Sequence, residues 1–314
     1  MRKIRIAVLM GGPSSEHDVS IASGKMVCDN LDKERYEVIP VHISRDGEWS
    51  VSFEELIDRA DIAFIALHGE YGEDGTVQQF LESIGLPYTG SSAKASALGM
   101  NKLASAKLFT AHDLNVPAWK EITRYDDWAH FGSPFDYPVV VKPADRGSSI
   151  GTSIARNEFY MREALCKVFE VSRTAMVQKY ISGREVTCGV LEDEHGNIPL
   201  PPTEVFPVKA ELFDYEAKYV KGASKEITPA PITKRETEEV QETALAVHRI
   251  IDASGYSRTD MIIGNNGQIY VLEINTLPGL DPATLLPQEA NYMGLSNSAL
   301  LDKIIAAAIR RYGR

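Results

Sequence analysis

The chain has 314 residues, a formal net charge of −11, and 44% hydrophobic and 25% charged residues, the texture of a globular protein of two or three domains. No apolar run approaches the roughly 20 residues that span a membrane, and no Lys/Arg run offers the basic surface that nucleic-acid phosphates need. Cys28, Cys166 and Cys188 lie far apart and form no CxxC pair, which disfavours a disulfide framework or zinc site and points to a reducing cytoplasm.

The basic start and short apolar stretch of the N-terminus imitate a secretory leader. Arg5 interrupts the apolar run, however, and Gly11-Gly12-Pro13 follows in place of a small-residue cleavage site, so a buried strand over 4–10 is expected. Val19, Ala22, Met26, Val27 and Leu31 then recur at helical spacing, predicting a helix over 19–31. Strands are expected at 36–43 and 61–67, a helix at 76–83 and a short strand at 86–89. Such alternation implies a parallel sheet faced by helices, with ligands at the carboxyl ends of its strands. Segments 11–17 and 68–75 would share that edge.

From residue 101 the texture changes. A helix is expected at 101–112, a strand at 138–142, a Gly/Ser loop at 145–151, a helix at 158–169 and a strand at 175–180. The last third predicts strands at 185–191 and 203–208, a polar tract at 209–228 and a helix at 235–253. Strands at 258–263 and 268–275 flank Gly264-Asn265-Asn266-Gly267, a hairpin turn, and an amphipathic helix closes the chain at 296–311. No internal repeat or low-complexity tract is present.

Three features carry chemistry. Glu273 and Asn275 are two apart on one strand and share a face; if the register brings Asp260 to that face, three hard oxygen ligands converge, which suits Mg²⁺. The alternative is a solvated strand face, against which Val271, Leu272 and Ile274 argue, because an unpaired buried carboxylate is costly. Lys142 ends an apolar strand and leads into Asp145-Arg146-Gly147-Ser148-Ser149-Ile150-Gly151, whose backbone N–H groups would wrap phosphate or simply connect two elements. Neither a Walker A loop nor GxGxxG is present. The 209–228 tract would be a lid over a nucleotide or a surface loop, and Tyr215 and Tyr219 favour the lid.

The segments GGPSSEHDVS at 11–20, ALHGEYGEDGTVQ at 66–78, GLPYTGS at 85–91, MNK at 100–102, VVKPADRGSSIG at 140–151, DYEAKY at 214–219, RTDM at 258–261 and LEINTLPG at 272–279 occur in this order. With them the chain resembles the D-alanine–D-alanine ligase family of the ATP-grasp superfamily over essentially its whole length. The resemblance implies an α/β fold, α+β in its C-terminal part. Residues 1–97 would be an N-terminal parallel-sheet (pre-ATP-grasp) domain that binds substrate. Residues 98–183 would be the central ATP-grasp subdomain, and 184–314 the C-terminal one with metal site and lid. It also implies ATP-dependent joining of two D-alanines through a D-alanyl phosphate for peptidoglycan synthesis, in a cytoplasmic homodimer.

The same resemblance implies residue roles. Lys102 and Lys142 would contact ATP phosphates, Lys218 the γ-phosphate, Ser149 the closing small loop, and Glu185 the ribose. Gln178 and Lys179, on the strand lining the adenine, complete the ATP set; Gln178 stands where relatives carry Glu, and still accepts from the adenine amino group. Asp260, Glu273 and Asn275 would hold two Mg²⁺ or Mn²⁺. Glu16 would bind the first D-alanine's ammonium and join Ser148 and Tyr219 in a hydrogen-bonded set. Arg258 and the Gly279 N–H would form the oxyanion hole, with Thr284 and Leu285 at the second substrate. His68 would orient that substrate or move a proton, or serve only as a structural hydrogen-bonder. Leu280-Asp281-Pro282 departs from the family pattern and adds a negative charge near a carboxylate site.

Tyr219 favours an amine acceptor over D-lactate, whose users carry Phe there. A nucleotide-binding regulator without turnover is disfavoured by the presence of Glu16, Lys142, Arg258, Glu273 and Asn275. Glu16 and the SSIG loop disfavour ligation of a different amino acid.

Overall fold

The computed structural model describes residues 2–126, 132–147, 150–207 and 224–313. Among these residues the strands form three sheets: a three-stranded parallel one, a four-stranded antiparallel one and a larger, six-stranded antiparallel one.

The first sheet follows the predicted alternation. Strand β1 (Ile4–Gly11) is central and flanked by β2 (Tyr36–Ile43) and β3 (Ile62–Ile65), both parallel to it. Burial of β1 from Ile6 onward explains its continuous apolar run, since helices and neighbouring elements cover both faces. Helix α1 (His17–Asn30) packs so closely on β1 that a Cβ on Gly24 would lie 2.4 Å from the Met10 Cβ. Helix α2 (Phe53–Arg59) is absent from the expectations, although Ser52 and Glu55 carry a start signal: the Ser52 side chain accepts from the Glu55 N–H. The segment expected as a strand at 86–89 makes only the single bridge Ala63↔Tyr88. Where the ladder would continue, the Thr89 hydroxyl accepts the Ile65 N–H, and Pro87 has no N–H to give.

Helices α3 (Thr76–Ser83), α4 (Ala93–Met100) and α5 (Lys102–Ala111) lead to the second sheet. There β5 (Val139–Pro143) and β7 (Thr174–Lys179) are central, β4 (Trp119–Thr123) and β6 (Ser153–Ala155) are edges, and α6 (Glu158–Val171) covers one face. The third sheet comprises β8 (Gly183–Asp193), β9 (Gly196–Pro199), β10 (Thr203–Pro207), β11 (Ser224–Ile227), β12 (Tyr256–Gly264) and β13 (Ile269–Asn275). Helix α7 (Lys234–Ile250) starts with the Thr233–Glu236 capping box and buries Val240, Ala244 and Val247 against this sheet.

Helix α8 (Leu285–Tyr292) was hidden by Pro287, which sits in its first turn, where a missing N–H costs nothing. Helix α9 (Asn297–Arg311) buries Leu300, Leu301, Ile304 and Ile305 in the same core as β1 and β3, so the chain's end is tied to its beginning. The three cysteines are free. Among the described residues no helix is long and apolar enough to cross a membrane.

Candidate functional site

The site lies where the three sheets face one another. On the third sheet, Arg258 pairs with Asn275 and Asp260 with Glu273 across β12 and β13, so all four side chains rise from one face. The ladder then slips, with Met261 opposite Val271, leaving Leu272 as a bulge residue. Bulges re-aim side chains beside functional sites, and here Leu272 and Glu273 both line one cavity. Thr187 on β8 stands opposite Asp260, and Glu185, two residues earlier, shares its face.

Arg258 and Asp260 form a buried, bidentate pair: Nε donates to Oδ1 at 2.7 Å and Nη2 to Oδ2 at 2.9 Å. The Thr187 hydroxyl donates to the same Oδ1 at 2.8 Å. Burial alone would lower the arginine's pKa, but the charge of Asp260 and its hydrogen bonds outweigh that and hold the guanidinium protonated. The Asn275 Oδ1 accepts the Leu277 N–H at 2.8 Å.

Two cavities flank this face. The smaller, about 90 Å³, lies between the second and third sheets and is lined by Lys102, Lys142, Gln178, Lys179, Glu185, Asp260 and Glu273. Lys142 is buried on β5, and Gln178, buried on β7, stands opposite Val140 in the ladder. Its Nε2 donates to the Pro117 carbonyl at 3.4 Å, which leaves Oε1 as an acceptor. The larger cavity, about 460 Å³, is lined by His68, Glu73, Arg258, Asn275, Gly279, Asp281, Thr284 and Leu285. Lys102 and Glu273 line both cavities. Their charged ends are 3.1 Å apart, and the Lys102 Nζ also donates to the Arg146 carbonyl at 2.6 Å.

The first sheet contributes its carboxyl edge, as expected. Glu16 is the N-cap residue of α1, yet its side chain does not cap the helix. The carboxylate is buried instead, with Oε1 3.1 Å from where a Cβ on Gly69 would be. Ser14 ties the two loops together, its hydroxyl donating to the His68 carbonyl at 2.7 Å and accepting the Glu16 N–H at 3.1 Å. The buried His68 ring has Nε2 2.8 Å from the Ser23 hydroxyl and Nδ1 3.4 Å from Glu73. Burial pulls this imidazole down, but the hydrogen bond and charge of Glu73, with the charge of Glu16, leave its pKa raised. Burial likewise raises the Glu73 carboxyl.

Thr284, the N-cap residue of α8, points its hydroxyl back into the preceding loop, donating to the carbonyls of Gly279 and Asp281, both at 2.7 Å. The Asp281 carboxylate accepts the Ala283 N–H at 2.9 Å and so fixes the turn before α8. Five residues singled out in the sequence, Ser148, Ser149, Tyr215, Lys218 and Tyr219, lie outside the described residues, as does most of the 209–228 tract. Glu73, Ser14 and Thr187 were missed. Thr187 was accessible from strand alternation with Glu185. Glu73 was not, because Gly69 and Tyr71, both at φ 72°, curl its loop back to His68 without any periodic signal.

Known proteins resemble this chain over nearly its whole length. The family model described as D-ala D-ala ligase C-terminus matches residues 108–306, and that described as D-ala D-ala ligase N-terminus matches residues 5–58 and 50–91. A D-alanine–D-alanine ligase from Syntrophobacter fumaroxidans is 42% identical over 310 residues, covering 98% of each chain. One from Geobacter sulfurreducens is 39% identical over 309 residues, covering 98% of this chain and 95% of the relative. Among solved structures, the D-alanine–D-alanine ligase of Bacillus anthracis complexed with ATP superposes with a TM-score of 0.83 at 36% identity, over 100% of this chain and 99% of that one. The VanG D-Ala:D-Ser ligase of Enterococcus faecalis gives a TM-score of 0.87 at 30% identity, over 98% and 100%. The chain belongs to the D-alanine–D-alanine ligase family and has the ATP-grasp fold of that family.

Proposed function

We propose that this chain joins two D-alanines at the expense of ATP, with the nucleotide in the smaller cavity and both amino acids in the larger. The observation that carries this reading is the Lys102–Glu273 pair lining both cavities, since in-line phosphoryl transfer needs the γ-phosphate and the accepting carboxylate to meet where the two cavities adjoin, beside groups that balance the phosphate charge. Family membership supports the activity and the use of ATP.

In this reading Gln178 Oε1 accepts from the adenine amino group, Lys179 lies beside the base, and Glu185 takes the ribose hydroxyls. Lys102, Lys142 and Lys218 neutralise charge on the phosphates, and Ser149 closes over them. Asp260, Glu273 and Asn275 would hold two Mg²⁺ or Mn²⁺: two carboxylates and an amide oxygen on one face form an all-oxygen set that leaves positions for phosphate and water. When bound, the ions neutralise the charge that spreads over the phosphoryl oxygens.

Glu16 receives the ammonium of the first D-alanine and, with Ser148 and Tyr219, orients it. The carboxylate oxygen of this D-alanine attacks the γ-phosphorus, ADP leaves, and the resulting D-alanyl phosphate holds an activated carbonyl. The second D-alanine is held by Leu285 and by Thr284, whose hydroxyl exchanges a loop carbonyl for the substrate carboxylate. Its free amine attacks the acyl carbon, the Arg258 guanidinium and the Gly279 N–H meet the oxyanion, and phosphate departs. His68, poised between Ser23 and Glu73, orients the acceptor or accepts a proton from its amine. A cytoplasmic homodimer goes with this reading.

The test is phosphate release from ATP with Mg²⁺ and D-alanine, with the product identified, beside L-alanine, D-serine and D-lactate. D-Alanyl-D-alanine as the main product is expected. Absence of D-alanine-dependent phosphate release overturns the reading, and a dominant D-serine or D-lactate product reassigns the acceptor. Light scattering of the purified chain tests the dimer, and chelation of divalent ions should abolish turnover.

A further inference from the structure

Glu289 is a fully buried carboxyl with no part in the reaction described above. It lies on α8, four residues after Leu285 and hence one turn deeper on the same helix face. Its Oε2 accepts the Gly189 N–H at 2.7 Å. The backbone explains why that N–H is available. Among the described residues β10 pairs with β8 only at Val186 and Thr187 and β9 pairs with it only from Val190 onward, so Gly189 has no strand partner on that edge: its carbonyl accepts the Leu200 N–H at 2.8 Å and its N–H is left for the helix. A buried N–H must be satisfied, and the carboxyl of α8 does it.

Gly189 is also the residue directly opposite Arg258 in the β8–β12 ladder. Opposite residues in an antiparallel pair face the same side, so the missing side chain of Gly189 leaves a gap beside Arg258. Helix α8 fills that gap: a Cβ on Gly189 would lie 2.4 Å from Leu286 Cδ1 and 2.6 Å from Glu289 Oε2. Burial pushes the Glu289 carboxyl well up, while the Gly189 hydrogen bond and the charge of Arg258 act against that.

We propose that Glu289 is a positioning residue for the acceptor subsite, seating α8 on the β8 backbone beside Arg258. The seat fixes Thr284 and Leu285, at the start of α8, against the guanidinium across the larger cavity. The inference rests on the assignment of Thr284 and Leu285 to the second D-alanine.

Two variants separate positioning from mere structure. Glu289→Asp withdraws the accepting oxygen by about 1.5 Å, one carbon–carbon bond. Glu289→Gln keeps an oxygen acceptor at the original reach. Rates are measured against D-alanine and fitted to the two-site rate law, which separates donor from acceptor constants, and ATP is varied independently. For Glu289→Asp the acceptor KM should rise about tenfold to a hundredfold, the scale of an ångström-level misplacement, with donor and ATP constants within about twofold of the parent. Glu289→Gln should restore the acceptor KM to within about threefold. Equal rises in all three constants, an unchanged acceptor KM in Glu289→Asp, or failure of Glu289→Asp to fold while Glu289→Gln folds would each overturn the proposal. Failure of the parent to make D-alanyl-D-alanine would instead overturn the reading on which it rests.

Discussion

The ammonium of Lys102 stands 3.1 Å from the Glu273 carboxylate, and this pair separates the two cavities while bordering both. The lysine comes from the first residue of α5 and the glutamate from β13, so the contact joins elements that sequence distance keeps far apart. Glu273→Gln removes the charge at the boundary where phosphoryl transfer would occur. Its turnover should fall about 10²–10³-fold and its Mg²⁺ dependence weaken, while thermal unfolding moves little because the side chain is part-exposed. Steady-state rates across a Mg²⁺ titration check this; an unchanged Mg²⁺ requirement would count against a metal role for Glu273.

The Arg258–Asp260 pair gives a different expectation, because it is buried and bidentate. Arg258→Met leaves a buried carboxylate without its main partner, which costs about 3–5 kcal/mol in addition to the loss of the oxyanion contact proposed for Arg258. The double variant Arg258→Met, Asp260→Asn should be more stable than Arg258→Met alone, though equally inactive. Urea unfolding of the three proteins measures the difference. A double variant no more stable than Arg258→Met would show that the pair does not govern folding.

His248 sets a pH dependence of stability. Burial, with the nearby charge of Arg249, lowers its pKa from 6.5 to about 4, and its Nδ1 is 2.7 Å from the Ser257 hydroxyl. The unfolded chain binds this proton below pH 6.5 while the folded protein refuses it down to about pH 4. Stability is therefore fully present above pH 6.5 and falls through that window, by about 3 kcal/mol in total at 1.36 kcal/mol per unit. Unfolding free energies at pH 7, 6 and 5 for the parent and His248→Gln should diverge in slope, the variant being flatter. Parallel curves would remove His248 as the cause.

Gly11 ends β1 at φ 92°, and a Cβ there would lie 2.3 Å from the Ile43 carbonyl oxygen. Gly47 has a comparable φ of 82° with open space around it. Gly47→Ala should cost only the left-handed backbone penalty, about 1–2 kcal/mol. Gly11→Ala should cost more than that and also raise the KM for the donor D-alanine, because Glu16, proposed to hold the donor's ammonium, is carried on the loop that Gly11 launches. Paired thermal melts and donor kinetics decide it, and equal costs in the two variants would contradict the steric argument.

Much of the fold was legible because it is written in short periods. The apolar run of β1, the helical spacing in α1 and the hairpin turn at 264–267 are local signals, and each element formed within two residues of its expected bounds. Elements without such signals were missed: α4 is rich in Ala and Gly and shows no apolar stripe, and α8 carries a proline. The expected strand at 86–89 failed because a threonine hydroxyl substitutes for the next rung.

The sequence by itself determined the chemistry available. The order of its motifs identified the family, and the two-residue spacing of Glu273 and Asn275 put both on one face. What only the tertiary structure decided is who meets whom. Asp260 is opposite Glu273 because the β12–β13 register, with its bulge at Leu272, puts it there. Lys102 borders both cavities because α5 starts where β13 ends, and Glu289 reaches Gly189 because β9 and β10 leave the β8 edge at 188–189 without a strand. Periodicity is a property of neighbours along the chain, whereas each of these contacts joins residues that only sheet register and helix packing bring within hydrogen-bonding distance.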